Sequence, residues 1–514
     1  MTLPFRSPFD PPENVDQQIT PEIQSLLSQD AILVRTLFED LQQEWSDLTK
    51  YRTYYEGDQE LVYGSEKFQE MFTDFEGFED NWCGVVIDAV SEKIKLIGIK
   101  VDEDESEEGE ENPITKKIWD IFRDNDIDEQ EGDLTEGVLV EGRAAVIVWP
   151  DEEKGATIDW NPANLVKVRY SETDYKQIDF AIKRWVTPSG RILINVYDRF
   201  QVRKYVEGRD VVLPDPTQTG ITATIPKQSP NFSLTPRFVT DEPWPLGHEF
   251  GEVPVVEFLN KRGSELSDVI PLQDAINYLL IATFVAGEFS ALKQKVLFTH
   301  LKQPEGGWSN IPGRVWHVPP AVDQDGRMVH GTMDEFGESD LGEFRQIIEM
   351  VLQHLALTSK TPVRMFFKSD RGGRGDAPSG ESQLIEDEPL LDKCEDRMTR
   401  LGNKWFRVAR LVAKAVGIDS DLRGEMIWLD PRSKYSMALL GEAVKLANEK
   451  DGLGLPIEWV VKRLGLTPED LAELQKMMLV QIKEQEAALE KEIEREAAMA
   501  AASSSSGESE TNDE

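Results

Sequence analysis

The chain has 514 residues, 39% of them hydrophobic, which is enough to build more than one buried core. It carries 96 acidic against 56 basic residues, a formal net charge of −40. Because tight binding to a phosphate backbone depends on Lys and Arg, this balance argues against a protein that grips nucleic acid tightly.

The first 28 residues are rich in proline and polar side chains and predict a flexible N-terminal arm. They lack the charged start and apolar run of a signal peptide, and no later window predicts a membrane-crossing helix. Cys83 and Cys394 are the two cysteines, each within a helical apolar pattern. Their number excludes a disulfide framework and predicts buried, reduced thiols.

Apolar residues at helical spacing predict a first helix over residues 32–55, and a second over 81–96 that leads into a strand. The acidic run at 102–112 is predicted to be a solvated loop. Residues 124–136 begin like a calcium loop, but Glu129 and Thr135 occupy the positions that need glycine and a bidentate glutamate. We therefore expect a turn between two helices there.

Between residues 157 and 207 the apolar period changes to two, which predicts a meander of antiparallel strands. Basic residues alternate here with aromatic ones, as in Arg184 next to Trp185 and Lys204 next to Tyr205. That combination also occurs on surfaces that bind single-stranded nucleic acid. The alternation favours a simpler interpretation, in which the basic side chains, Arg203 among them, form the solvent face of a sheet.

The second half of the chain predicts a long helix, a small β-containing insert with strands near 296–299, 315–318 and 327–331, and a returning helix. A basic loop and another long helix over 383–416 follow. Pro389 lies inside that last helix and predicts a kink or a break near Glu388.

The sequence contains no fingerprint of an enzyme. There is no phosphate loop, no nucleophile elbow and no paired-histidine zinc motif, and the five histidines are scattered. We therefore expect no catalytic residue, no cofactor and no metal site.

Four segments together resemble the portal proteins of long-tailed, siphovirus-type bacteriophages, and in particular actinobacteriophage-like members. They are YRTYYEGDQE (51–60), NWCGVVIDAVSEKIKLIGI (81–99), GEVPVVEFLN followed by LSDVIPLQDAIN (within 251–277), and SGESQL (379–384). None of them is diagnostic alone. Their order and spacing across residues 32–480 carry the resemblance.

The resemblance implies an α+β fold, mainly α, with a wing, a helical stem, a small β-containing clip, a long kinked helix and a helical crown. On this chain the implied divisions are a flexible arm (1–28), the wing (29–266), a stem helix (267–294), the clip (295–338), a second stem helix (339–358), a tunnel loop (359–382), the long kinked helix and its return to the wing (383–436), crown helices (437–499) and a disordered acidic tail (500–514).

The resemblance also implies a homododecameric ring at the capsid vertex of the virion, assembled in the host cytoplasm without a membrane. Double-stranded DNA would pass through it during packaging and ejection. The implied partners are the terminase, a head-tail connector or adaptor, and the major capsid and scaffold proteins.

Two groups of residues are candidate contact sites under this resemblance. The tunnel loop would touch DNA phosphates weakly through its basic residues, whereas the alternative is an ordinary surface loop. The clip would dock partners, with its tryptophans serving either as anchors or as the clip's own core. The residues are Lys360, Arg364, Lys368, Arg371 and Arg374 in the loop, and Trp308, Arg314 and Trp316 in the clip.

Two other classes of function stay open on the sequence alone. One is a metal-dependent DNA-processing enzyme, motivated by acidic clusters such as that containing Asp126 and Asp128. The other is an acidic scaffold or adaptor protein that never forms rings.

Overall fold

The computed structural model describes residues 20–60, 80–101, 113–210, 233–239, 242–291, 295–298, 321–322, 325–329, 332–335, 341–366, 380–418 and 422–432. Their fold is mixed α+β, as expected. The chain divides into two compact units, here called the first unit (1–92, 132–148 and 159–393) and the second unit (93–131, 149–158 and 394–514). The predicted crown and acidic tail lie outside the described residues.

The helices of the described residues are α1 (Pro21–Glu56), α2 (Cys83–Ser91), α3 (Pro113–Asp124), α4 (Ile127–Glu141), α5 (Ile270–Ala291), α6 (Leu341–Ser359) and α7 (Gly380–Ala415), with a 3-10 turn at Val363–Met365. The strands are β1 (Leu96–Val101), β2 (Arg143–Asp151), β3 (Gly155–Pro162), β4 (Val166–Tyr170), β5 (Ile178–Val186), β6 (Arg191–Tyr197), β7 (Gln201–Asp210), β8 (Leu234–Pro236), β9 (Leu246–Gly247), β10 (Val255–Leu259), β11 (Lys295–Phe298), β12 (Ala321–Val322), β13 (Met328–Val329), β14 (Thr332–Glu335) and β15 (Gly424–Trp428).

Helix α1 begins earlier than its apolar period predicts. The Thr20 hydroxyl accepts a hydrogen bond from the Ile23 amide at 3.3 Å, and Pro21 occupies the first turn, so capping chemistry starts the helix. The predicted flexible arm is therefore wrong for residues 21–28, while residues 1–19 lie outside the described part. Gly57 ends the helix in the left-handed conformation, with φ 84°.

The first unit contains the predicted antiparallel meander. Strands β4 to β8 form a sheet in sequential order, with β9 also paired to β7. Helix α1 packs Val34 and Leu37 against Ile182, Ile194 and Tyr205 of this sheet.

The prediction that the basic residues of the meander face solvent is wrong for Arg184 and Arg203. They are 1% and 3% exposed. Arg184 bonds to the Glu207 carboxylate at 2.8 Å and lies over the Phe38 ring, whereas Arg203 bonds to Asp30 of α1. Helix α1 covers the sheet face on which Arg184 and Arg203 lie, so these two side chains are withdrawn from solvent.

A second sheet has the order β10-β2-β3. Arg143 of β2 connects it to its surroundings, because its guanidinium bonds to the Glu44 carboxylate at 2.9 Å and to the Val166 carbonyl at 2.8 Å. This contact fixes the position of α1 along both sheets.

In the second unit, β1 pairs with β15, and Phe122 of α3 packs against Trp405. The stretch that imitates a calcium loop is the predicted turn between helices: Asp126 has φ 53°, and its amide donates to the Arg123 carbonyl at 2.9 Å. The side chain of Asn125 bonds to the backbone of Ala156 and Ile158. It therefore holds the β2–β3 hairpin tip.

Helix α7 is continuous across Pro389, so the predicted break is wrong, and the kink stays a prediction. Proline withdraws the hydrogen bond to the carbonyl four residues earlier, at Ile385, whose side chain is exposed. The adjacent Leu390 and Leu391 are fully buried and favour an unbroken helix. Cys83 and Cys394 are buried free thiols, as predicted.

Candidate functional site at the α5–α6 helix pair and its base

Helix α5 is held at its beginning by polar side chains. The Gln273 amide accepts a hydrogen bond from the Trp82 backbone N–H at 2.8 Å and donates to the Asp80 carbonyl. Asn277 accepts from the Asp80 amide at 3.2 Å. Because Gln273 and Asn277 are buried, these bonds fix the start of α5 to the segment before α2.

Tyr54 fixes the same turn of α5 to the end of α1, since its hydroxyl donates to Asp274 Oδ1 at 2.6 Å. Burial, reinforced by the Asp274 carboxylate, raises the pKa of Tyr54 well above its usual range. Burial also raises the pKa of the nearby Cys83 thiol to about 12, so this thiol stays protonated at neutral pH.

The rest of α5 is apolar but poorly covered by its own chain. Residues Ile270–Gly287 have a mean hydropathy of 1.3, yet only 28% of that stretch is buried. By length and composition it could cross a membrane, which corrects the expectation that no window would. Phe284, near its end, is among the exposed apolar side chains.

Short β-structure separates α5 from α6. Strand β11 pairs antiparallel with β14, and β12 with β13. The predicted runs near 296–299 and 327–331 thus overlap observed strands. The predicted run at 315–318, together with Trp308, Arg314 and Trp316, lies outside the described residues.

Helix α6 packs against α5 and has two different faces. Leu352, Leu355 and Ala356 are buried. The opposite face carries an apolar stripe, defined here as Ile347, Met350 and Leu357, whose side chains are 41%, 50% and 75% exposed. These positions follow the repeat of helices that pack against a neighbour.

Lys360 ends α6 in the left-handed conformation, with φ 59°. The Thr361 amide donates to the Ala356 carbonyl at 3.0 Å, closing the turn in the way that glycine usually does. Lys360 is exposed, and its positive charge suits the carbonyl end of the helix.

Phe366 ends the described residues of the loop's first part. It is 5% exposed and packs against Trp82 with ring centroids 5.8 Å apart. The chain is therefore anchored just before residues 367–379, where Lys368, Arg371 and Arg374 stand outside the described residues.

Arg364 forms an ion pair with an aspartate that the sequence analysis did not identify as its partner. Its Nη2 lies 2.5 Å from Oδ2 of Asp387 on α7, and the Asp387 side chain is fully buried. Lys393, further along α7, bonds to the Ser359 carbonyl at 3.0 Å and to Glu265 at 3.1 Å. Asp387 falls in the apolar repeat that continues to Leu391 and Cys394, and this signal could have identified it.

A small cleft of about 150 Å³ lies beside α1 and α4. Arg52 occupies its wall and bonds to Glu136 at 2.6 Å and Glu141 at 3.0 Å, while Glu56 and Trp160 also line it. Burial raises the pKa of Glu56, against the opposing effect of Arg52. The described contacts of Arg52 tie α1 to α4 and account for its position.

A family model described as "Phage portal protein, SPP1 Gp6-like" matches residues 35–430. A search of curated proteins gave no significant match.

Solved structures of gene transfer agent (GTA) particles resemble the chain at 12% identity. The match to "Virion of native gene transfer agent (GTA) particle" covers 79% of this chain and 99% of the other, with a TM-score of 0.38. The match to "Neck of empty GTA particle computed with C6 symmetry" covers 76% of this chain and 90% of the other, with a TM-score of 0.39. The match to "Neck of native GTA particle computed with C12 symmetry" covers 80% of this chain and 96% of the other, with a TM-score of 0.40.

Proposed function

The chain belongs to the SPP1 Gp6-like phage portal protein family, whose members form the channel at the capsid vertex, and from this premise we propose a homododecameric ring for DNA packaging and ejection. As a portal protein it is a structural, non-enzymatic component of the virion that takes part in DNA packaging. Family membership is the single observation that carries the proposal. The expectations of no enzyme activity and of a place at the portal vertex are confirmed at the level of the family.

Ring formation is supported by the apolar surface of the helix pair. The stripe on α6 and the poorly covered length of α5 expose apolar residues that a lone chain leaves in water. A second copy of the chain is the occupant that a ring supplies, because every subunit presents the same surfaces to its neighbours. We assign α5 and α6 to the stem on this basis.

The charge of the chain suits a channel through which DNA slides. A net charge of −40 disfavours strong attachment to phosphates, since such affinity requires many Lys and Arg contacts. A few basic side chains per subunit, such as the exposed Lys360, supply weak contacts that are easily exchanged. The loop at 359–382 is accordingly proposed as the tunnel loop.

The remaining assignments follow from family membership. Residues 29–266 are proposed as the wing, 295–338 as the clip, 383–436 as the long helix and its return, and 437–499 as the crown. The clip, through Trp308, Arg314 and Trp316, would dock first the terminase and later a head-tail connector. Capsid and scaffold proteins would complete the vertex in the host cytoplasm, in a long-tailed phage resembling those of actinobacteria.

The metal-dependent DNA-processing alternative loses its motivation. Asp126 lies in the turn between α3 and α4 and Asp128 in the first turn of α4, and the described residues contain no group of three potential metal ligands. A portal protein is also not an enzyme, and this decides against the DNA-processing alternative. A non-ring adaptor would differ from a portal ring in the mass of the purified particle.

The experiment that tests the proposal is the mass and shape of the purified full-length chain, from light scattering and negative-stain imaging. We expect annular particles with an axial hole, built from about twelve chains of 58.3 kDa. A chain that stays monomeric in the presence of capsid and scaffold proteins would contradict the proposal.

A matched pair of variants tests the surface that forms the ring. Leu357→Glu places a charge in the apolar stripe and should abolish the annular particles. Ile32→Glu, at an equally exposed position of α1, should leave them intact. Rings that survive Leu357→Glu would exclude the stripe from the interface.

A further inference from the structure

The face of the β4–β8 sheet that lies away from α1 carries a row of polar side chains. Ile182 packs toward α1, so the next residue of β5, Lys183, points to the other side. Lys183 pairs in register with Asn195 of β6, and Asn195 with Lys204 of β7. The backbone N–H of Arg237, just after β8, donates to the Lys204 carbonyl at 2.8 Å and extends the row. The row thus consists of three cations and one amide.

Trp185 brings two of these cations together. It lies two positions after Lys183 on β5 and therefore on the same face. The Lys183 ammonium lies 5.5 Å from the centre of its indole ring, and the Arg237 guanidinium carbon lies 5.9 Å from it. Both charges are therefore held at one partly buried aromatic surface.

Neither of these two cations is bonded to an acid. In the described part of the chain, the Lys183 ammonium has no ion pair or hydrogen bond, and the Arg237 guanidinium has one long hydrogen bond, to Asn195 Oδ1 at 3.4 Å. Arg237 Nε is buried without a partner. The third cation of the row, Lys204, bonds to the Glu242 carboxylate. Most of the hydrogen-bond donors of Lys183 and Arg237 are thus unused.

Burial makes these two charges costly to the fold. It lowers the pKa of Lys183, against the opposing effect of Asp159, and it lowers the pKa of Arg237, against the opposing effect of Glu242. A cation withdrawn from water is stabilised by a carboxylate at bonding distance, and the described residues place none there. An anion from outside the chain would supply this missing partner.

The chemistry of the row favours carboxylates over a nucleic acid strand. Asp159 acts on Lys183 with a negative charge, so a strand of phosphates would meet few cations and a repelling group. A guanidinium binds a carboxylate through paired N–H groups, and a tryptophan adds apolar contact for the chain that carries it. The row crosses three strand intervals, about 14 Å, which is the length of about five extended residues.

We propose that Lys183, Trp185 and Arg237 form a docking site for an acidic, extended segment of a partner protein. The side of the sheet that α1 covers needs no such partner, because Arg184 and Arg203 are bonded to carboxylates of their own chain. The opposite side receives its carboxylates from outside. This contact is independent of DNA passage and of ring formation.

The docking site is tested with a fluorescent peptide of about eight residues that alternates glutamate with alanine, so that its carboxylates share one face when it is extended. Fluorescence anisotropy with the full-length protein measures the affinity. We expect Lys183→Met and Arg237→Met each to weaken binding at least about tenfold, because a charge-assisted contact is lost. A peptide with glutamine in place of glutamate should not bind.

A matched control removes a cation of the same sheet that lies outside the row. Lys176 is exposed in the turn before β5, and its ammonium lies 5.8 Å from the centre of the Tyr175 ring. Lys176→Gln should change the affinity for the glutamate peptide by less than about twofold, because an exposed charge contributes little.

Thermal unfolding of the same variants separates docking from a structural role. A buried cation without a bonded acid is replaced by an apolar side chain of similar length at no cost to stability, and methionine keeps contact with the Trp185 ring. We therefore expect Lys183→Met and Arg237→Met to retain the Tm of the parent. Light scattering should give these variants the same particle mass as the parent.

The contrary outcomes each exclude the proposed occupant. A parent that does not bind the peptide at low salt, or methionine variants that bind it as tightly as the parent, would overturn the docking site. A single-stranded oligonucleotide that binds more tightly than the peptide, and is lost in the same variants, would assign the face to nucleic acid instead. A lower particle mass in the variants would assign it to a second copy of this chain. A lower Tm with unchanged affinity would leave the two cations a structural role only.

Discussion

The sheet formed by β4 to β8 and the α5–α6 helix pair differ in which kinds of side chain they bury and which they expose to water. The sheet buries charges: Arg184, Arg203 and Glu207 are each no more than 3% exposed. The helix pair exposes apolar groups, with Leu357 at 75%. A region whose charges are paired internally is complete within one chain, whereas a region that leaves apolar surface in water requires a partner.

The largest expected effect comes from removing one of the buried charges of the sheet. Glu207→Gln removes the carboxylate that bonds to the buried Arg184, and breaking a buried pair destabilises by about 3–5 kcal/mol. Urea unfolding at neutral pH measures the loss. Glu39→Gln, in the exposed pair with Arg35, is the control and should change stability by less than about 1 kcal/mol. Equal effects of the two variants would show that burial of the pair is unimportant.

Two leucines of α6 test whether the exposed face of the helix pair packs against a neighbouring chain. Leu355 is fully buried and Leu357 is exposed. Leu355→Ala should cost about 2–5 kcal/mol in urea unfolding of dissociated chains, from lost burial and the cavity left behind. Leu357→Ala should cost less than about 0.5 kcal/mol there, and should weaken ring assembly instead. A large loss of single-chain stability in Leu357→Ala would refute the assignment of its face to a neighbour.

A smaller effect is expected where the helix pair ends. Lys360 adopts a left-handed conformation that glycine accepts without strain, so Lys360→Gly should stabilise the chain by about 0.5–1 kcal/mol. Thermal unfolding measures the change. Lys360→Ala retains the strain and removes the charge, and should not stabilise. A gain of equal size in both variants would mean that the charge, not the backbone, opposes stability.

The smallest effect concerns the half-exposed Glu44, which connects α1 to the sheets. Burial raises its pKa, but the hydrogen bond from Lys167 and the charge of Arg143 outweigh burial and bring the pKa below its ordinary value of 4.5. The stability it contributes is therefore present above pH 4.5 and lost as the pH falls through the lower folded value.

The difference in unfolding free energy between the parent and Glu44→Gln measures this contribution. It should be below about 1 kcal/mol at neutral pH and vanish in acid, because a half-exposed pair is screened by water. A difference that grows on acidification would give the opposite sign and contradict the lowered pKa of Glu44.

The elements near the site were predictable because their signals are local. Helical spacing predicted the two helices that are observed as α5 and α6, and alternation predicted β4 to β7. The signal failed where two local preferences compete. At Pro389 the missing hydrogen bond predicted a possible break, but the buried Leu390 and Leu391 favour the continuous helix.

The contact sites of the loop and the clip stay predictions. The basic loop was identified from its composition, and Lys360 at its start is exposed. The pairing of Arg364 with Asp387 was missed because the sequence does not show which acid the fold brings beside Arg364. The fully buried carboxylate of Asp387 distinguishes it, and burial is a property of the packed chain.

The sequence by itself determined the order of helices and strands, the family, and the acidic character suited to a DNA channel. Tertiary structure alone decided what each charge does. Arg203 meets Asp30 across 173 positions, and Arg364 meets Asp387 across 23. The physical reason is that helical and strand periods arise between near neighbours, whereas the partner of a charged group is whichever chain segment the fold brings within hydrogen-bonding distance.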